Sequence, residues 1–377
     1  METRAAAITE LLGGPADLRW FRAPGRVNLI GDHTDYHEGF VLPLAVDRDC
    51  VIAARRRDDG RVTVDSVELR ADGPVDVSAD GSDAPGGVEP PWGRYVAGVV
   101  RALADAGRVP VGLDVAVSSN VPVGSGLSSS AALEVAMALA LADAGGMTLR
   151  ATDLARACQR AEHLATRVPS GVMDQLVSLL GRADHALLID CRTLAAEPIA
   201  LPDALAVLVV HSGLPRALAG SAYADRRAAS ERIATRLGVA TLREATLDDV
   251  RGEPRARHDV TENQRVLEFA DALRAGDTAV LGPLLLASHA SLRDDYEVSM
   301  PQLDLAVDLL VEHGALGARL TGAGFGGCVV GLVTRPQVGK VARKTVTRYQ
   351  AETGLHADAF EVRAVAGAGP IAAPVGA

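Results

Sequence analysis

The sequence predicts an α+β fold. Its helical and strand-like segments come in blocks and do not alternate as repeated βαβ units. Apolar residues make up 48% of the chain, the level of a globular protein. A length of 377 residues suffices for two domains and a large buried core. Aromatics are only 3%, so Ala, Val and Leu must build that core.

Residues 41–57 and 61–65 read as strands. Residues 72–91, rich in Gly, Pro, Asp and Ser, read as a surface loop. Tyr95, Val96, Val99, Val100 and Leu103 recur at helical spacing. Val111, Leu113, Val115 and Val117 alternate along a strand that ends near Ser118, and an Ala- and Leu-rich helix follows over 129–144. Leu154, Ala155, Cys158, Ala161 and Leu164 mark another helix, and 170–180 a further one. Strands are expected at 185–190 and 205–211. Helices follow over about 222–236, 260–275, 278–289 and 301–313, then a strand at 328–333, a helix near 336–350 and a strand near 359–363. The final AVAGAGPIAAPVGA is made of small residues and is expected to fray. A domain boundary is expected within 181–200, and no repeat of fixed period is visible.

The net charge of −10 argues against nucleic acid and anionic membrane as partners. The N-terminal METRAAAITELL is broken by charges and lacks the apolar centre of a signal peptide. No run of about 18 apolar residues exists to span a bilayer. Cys50, Cys158, Cys191 and Cys328 form no CxxC pair. Reduced thiols in the cytoplasm are therefore expected.

The stretch 122–134, PVGSGLSSSAALE, sits between a strand and a helix. Gly124 and Gly126 allow a tight turn close to a ligand. Ser125, Ser128, Ser129 and Ser130 add hydroxyls where the helix starts. A helix start offers free N–H groups and about half a positive charge, which suits a phosphate. An ordinary turn with a serine cap fits the same letters. The usual P-loop is excluded, because it needs a lysine and the chain has only Lys340 and Lys344. A nucleotide here would rely on backbone amides, serines and a metal.

Four further segments carry chemistry. Residues 22–43 pack Arg26, Asn28, Asp32, His33, Asp35, Tyr36 and His37 among three glycines. Such groups suit sugar hydroxyls and an anion; a metal site at His33, Asp35 and His37, or a polar turn, are the rival readings. In 161–175, AEHLATRVPSGVMDQ, Glu162 and Asp174 could serve as a metal ligand and a base, but by themselves they read better as a solvated helix face and a helix-start carboxylate. In 211–227, Tyr223 precedes Arg226 and Arg227 on what reads alone as a surface helix. In 321–328, TGAGFGGC matches GxGxxG by letter, yet a strand follows instead of a helix. That excludes a dinucleotide fold and leaves a Gly-rich loop where backbone meets a ligand or another loop.

Taken together, the five segments resemble the GHMP small-molecule kinase family, and within it the galactokinase family more than mevalonate or homoserine kinases. RVNLIGDHTDY is similar to that family's sugar signature, PVGSGLSSSAALE to its phosphate loop, TGAGFGGC to its third motif. The resemblance runs from about residue 22 to 328. It implies two domains meeting at a cleft: 1–190, similar to the second domain of ribosomal protein S5, and 191–377, ferredoxin-like. The implied activity is transfer of a phosphoryl group from ATP to the anomeric hydroxyl of D-galactose, the entry step of galactose catabolism, with Mg²⁺ as cofactor. Carried over by position, Asp174 takes the anomeric proton and Arg26 stabilises the charge beside it. Asp32, His33, Asp35, Gly171 and Tyr223 hold the sugar. Gly124, Ser125, Gly126, Leu127, Ser128, Ser129 and Ser130 wrap the phosphates, and Ser130 and Glu162 hold Mg²⁺. The implied partners are small molecules only, the implied state a cytoplasmic monomer.

Two departures concern the sugar. Galactokinases usually carry Glu where Asp32 stands, at a position similar to the one that holds the 6-hydroxyl. HSGLPRAL replaces the usual NSNVRHxL at 211–218. Both keep related sugars open, namely N-acetylgalactosamine, L-arabinose or a galacturonate. A silent sugar sensor of the same family would lack the Ser-Ala pair, which is present here as Ser130-Ala131.

Overall fold

The computed structural model describes residues 1–214 and 219–374. Its largest sheet has six strands in the order Gly369–Ile371, Arg19–Asn28, Pro43–Arg57, Gly112–Ser119, Arg61–Ser66, Val75–Ser78. All neighbours are antiparallel except Arg61–Ser66 beside Gly112–Ser119. One parallel pair in an otherwise antiparallel sheet is the α+β pattern expected from the blocks of sequence. The period of two decides both faces of the central strand Pro43–Arg57. Leu44, Val46, Cys50 and Ile52 enter the main core, whereas Val51 and Ala53 meet Ala5, Ile8 and Trp20 beneath the helix Glu2–Leu11.

The helix Ser129–Ala144 is buried on nearly every side, as its Ala- and Leu-rich composition requires. It packs against the sheet and against the helices Gly93–Asp105, Ala151–Thr166 and Met173–Leu180. A second, four-stranded sheet runs Gly317–Thr321, Cys328–Thr334, Leu205–His211, Asp358–Val362, all antiparallel. Alternate residues of Leu205–His211 serve two cores. Val207 and Val209 face the main one; Leu208 and Val210 face a second core with the helices Pro301–Glu312 and Val338–Thr353. No helix among the described residues is long and apolar enough to cross a membrane.

Several expectations need correction. The C-terminal segment does not fray over its described part. Gly369–Ile371 pairs with the first long strand, Ile371 packs by Trp20, and Gly367 donates to Gly181 O. Residues 72–91 hold the edge strand Val75–Ser78, whose Val75 and Val77 are buried. Three strands and a helix escaped the pattern. Arg19–Asn28 is disguised by Pro24 and Gly25, which lie at a bulge where the register shifts. Ala195–Ala200 is mostly exposed, and Gly317–Thr321 carries an arginine at its centre. The helix Glu2–Leu11 buries only Ala5 and Ile8. The hairpin His185–Asp190 with Ala195–Ala200 turns across the expected 190/191 division, and the last strand joins the first sheet.

Candidate active site

The strand Arg19–Asn28 delivers Arg26, and the loop after it brings Asp32, His33 and Asp35. The turn before the helix Ser129–Ala144 is left-handed at Gly124 (φ 73°), Gly126 (φ 90°) and Ser128 (φ 59°). That geometry aims the first turn's free N–H groups outward, as glycines permit. The helix Ala151–Thr166 supplies Glu162, and Asp174 sits on the first turn of Met173–Leu180.

These segments converge on one cavity of about 500 Å³. Arg26, Asp32, His33, Asp35, Glu162, Gly171, Asp174 and Tyr223 all line it, with Gly124, Gly126, Ser128, Ser129 and Ser130. Two expected residues do not line it. Leu127 is core, and Ser125 turns its hydroxyl to Pro122 O at 2.7 Å, bracing the turn. The Gly-rich loop closes the opposite wall: a Cβ on Gly322 would stand 3.4 Å from Gly126 O. His211 lies at a strand end and does not line the cavity. Pro215, Arg216, Ala217 and Leu218 of the departing segment lie outside the described residues.

Arg26 grips Asp174 with two bonds, Nε to Oδ1 and Nη2 to Oδ2, both 2.7 Å. It also donates to Gly126 O, and Ser128 donates its hydroxyl to Asp174. The base candidate and the phosphate turn are thus one unit. Arg26 is the only cationic side chain among the described lining residues, and it is already committed. Glu162 receives Ser130 Oγ at 3.2 Å, Ser170 Oγ at 2.9 Å and Gln175 Nε2 at 3.0 Å. Burial, then the nearby Asp174 charge, pushes its carboxyl up.

Asp35 is half-buried in the cavity wall beside Asp174, and its loss of water contact, then the Asp174 charge, raises its carboxyl to about 7. A Cβ on Gly171 would lie 1.7 Å from Asp35 Oδ2, so any larger residue there displaces the Asp35 side chain. His33 accepts from the Tyr36 hydroxyl at Nδ1 (2.7 Å) and donates from Nε2 to Ala323 O (3.2 Å), because a carbonyl only accepts. It joins the sugar-signature loop to the Gly-rich loop. Tyr223 packs against it, ring centres 5.4 Å apart.

The sequence reading missed two groups. Trp92, Tyr95, Val117 and Leu133 add apolar surface to the cavity lining. Their only signal was helical or strand spacing, which reads as core. Arg319, fully buried on Gly317–Thr321, places Nη2 2.6 Å from Asp32 Oδ2, and Gly322 N–H donates to Asp32 Oδ1 at 3.0 Å. Burial raises Asp32, opposed by the Arg319 charge.

A helix N-terminus flanked by serines, an arginine–aspartate pair and a carboxylate that has no ion-pair partner among the described residues define a phosphoryl-transfer site. The comparisons agree. The descriptions "GHMP kinases N terminal domain" and "GHMP kinases C terminal" match residues 94–182 and 269–350. Methanococcus jannaschii mevalonate kinase shares the fold, with a TM-score of 0.67 at 17% identity over 93% of this chain and 99% of that one. The description "Galactokinase galactose-binding signature" matches residues 9–56. A galactokinase from Roseiflexus sp. is 44% identical over 93% of this chain and 92% of its own length. One from Chloroflexus aurantiacus is 43% identical over 94% and 93%. The crystal structure of Lactococcus lactis galactokinase complexed with galactose superposes with a TM-score of 0.89 at 33% identity, covering 96% of this chain and 97% of that one. Within the GHMP kinases, the chain belongs to the galactokinase family.

Proposed function

We propose that the protein is an ATP-dependent sugar 1-kinase that converts D-galactose and ATP to galactose 1-phosphate and ADP. The observation that carries this reading is the continuity of the cavity. One lining joins apolar surface suited to a nucleobase, a helix N-terminus, and Asp174 amid Asp32, His33, Asp35 and Tyr223. Phosphoryl transfer needs placement and charge stabilisation more than covalent chemistry. Asp174 accepts the proton of the anomeric hydroxyl, and Arg26 fixes its carboxylate and stabilises charge where the phosphoryl group arrives. The amides at Gly124 and Gly126 and the hydroxyl of Ser129 hold phosphate oxygens, while the Ser128 hydroxyl gives its proton to Asp174 and the Leu127 amide gives its own to Ser125 Oγ. Ser125 and Leu127 serve through the backbone and the core. Asp32, His33, Asp35 and Tyr223 hold the sugar, and Gly171 makes room for Asp35.

The residues fit a Mg²⁺ ion. Among the described residues no three His, Cys, Asp or Glu gather into a cage. Magnesium in kinases instead takes one or two carboxylates plus substrate phosphates. Ser130 and Glu162 offer a hydroxyl and a half-buried carboxylate that, among the described residues, has hydrogen-bond donors but no ion-pair partner. When bound, the ion neutralises phosphate charge, which the single committed arginine cannot do alone. Glu162→Ala is expected to raise the Mg²⁺ concentration for half-maximal rate by about tenfold or more, the scale of a lost oxygen ligand. Mg²⁺ titration of the rate checks this, and an unchanged midpoint removes Glu162 from the role.

Asp35 sets a pH dependence. With its carboxyl at about 7, it is neutral below that and a hydroxyl acceptor above it. The kcat/KM for the sugar should therefore climb between about pH 6 and about pH 8, because that ratio reports groups of the free enzyme. A flat profile refutes the assignment.

The protein is read as a monomer that works in the cytoplasm on small molecules. The deciding experiment is phosphorus NMR of the product from Mg-ATP and galactose. A 6-phosphate, or no turnover of any galacto-configured sugar, overturns the proposal.

A further inference from the structure

We propose that Gln175 is the positioning residue for Glu162, and that Glu134 anchors Gln175 for this task. Gln175 follows Asp174 on the first turn of its helix and is fully buried. Its Nε2 lies 3.0 Å from Glu162 Oε2 and 3.0 Å from Glu134 Oε2. An amide nitrogen carries two hydrogens, so each carboxylate takes one. The inverted amide would turn its oxygen toward both carboxylates. Against the Glu162 carboxylate an acceptor pair would then replace a bond, at a glutamine side chain that is itself fully buried.

The arrangement spans three helices. Glu134, fully buried, belongs to the phosphate-loop helix Ser129–Ala144, Glu162 to Ala151–Thr166, and Gln175 to Met173–Leu180. The other donors to Glu162 are the hydroxyls of Ser130 and Ser170. Hydroxyls rotate freely to suit a neighbour, so they follow the carboxylate and do not set it. Gln175, pinned from behind by Glu134, does set it. Because Gln175 adjoins Asp174 in the chain, the clamp also fixes the spacing between the cation ligand and the base. A ligand held in advance by such outer partners binds metal more tightly.

This inference rests on the reading of Ser130 and Glu162 as the cation site, and its test separates the two. Mn²⁺ is titrated by electron paramagnetic resonance into the full-length protein with ADP, and galactose affinity is measured by calorimetry on the same samples. Gln175→Met should raise the Mn²⁺ dissociation constant about 10- to 100-fold while galactose affinity stays within about twofold. Glu134→Leu should move the same way by a smaller factor. Glu134→Gln keeps an acceptor oxygen for the amide and should stay within about threefold, which guards against a folding defect in the apolar variants. Unchanged Mn²⁺ affinity in Gln175→Met overturns the positioning role alone. Equal losses of Mn²⁺ and galactose affinity also overturn it, because they mark general packing. A wild-type protein with no nucleotide-dependent Mn²⁺ site overturns the cation reading and this inference with it.

Discussion

Asp174→Asn is expected to lower kcat by about 10² to 10⁴, the range for loss of a general base, while KM for sugar and ATP shifts only a few-fold. The asparagine keeps the shape and one acceptor oxygen. It cannot accept a proton. It also turns an amide toward Arg26, which now grips both carboxylate oxygens, so one of the two bonds is lost. The size within that range carries information. A loose transition state places little bonding to the attacking oxygen, and proton transfer is then late and less demanding. A fall near the lower limit would indicate such a transition state. A fall near the upper limit would indicate that the anomeric oxygen must be deprotonated early. Steady-state kinetics with a single-turnover control isolates the chemical step. Near-normal turnover in that control would end Asp174's candidacy as the base.

The particular residues show what a linear sequence discloses. The helix Ser129–Ala144 and the strands His185–Asp190 and Leu205–His211 were legible to the residue, because an uninterrupted period meets a clear stop. Asp174, Glu162 and Ser130 came together as a set only through the family resemblance of their segments, and the structure places all three on one cavity. The apolar lining was not legible. Trp92 and Tyr95 lie on or beside a helix whose spacing says core, and nothing in a period says which apolar residue lines a cleft. The strand Gly317–Thr321 was missed for the opposite reason: its central arginine looks like an interruption. The partner that makes it tolerable, Asp32, is 287 positions away and unreadable from local pattern. Local rules fail most often where function overrides them.

Arg319 is where that override can be measured. Its guanidinium is fully buried, bonds Leu29 O at 3.2 Å and stands 2.6 Å from Asp32, itself 2% exposed. Removing one partner of a buried pair leaves an uncompensated charge and typically costs about 3–5 kcal/mol. Arg319→Leu should cost that much near neutral pH, read from the midpoint of denaturant unfolding. The sign of the pH dependence follows from Asp32. Burial already raises its carboxyl, and the arginine is the largest force opposing the rise. Without Arg319 the carboxyl moves further up and is neutral over a wider range. The variant's deficit should therefore shrink as pH falls and grow as pH rises. Asp32→Asn added to Arg319→Leu should recover part of the loss and flatten its pH dependence, since no buried charge remains to be orphaned. A deficit under about 1 kcal/mol near neutral pH, or a double variant no better than the single one, would show that the pair contributes nothing specific. Apolar replacement of both partners is often neutral or stabilising in other folds. The pair is therefore better explained by what it positions. Asp32 holds the Gly322 amide and lines the cavity, so the double variant should regain part of its stability yet bind sugar poorly.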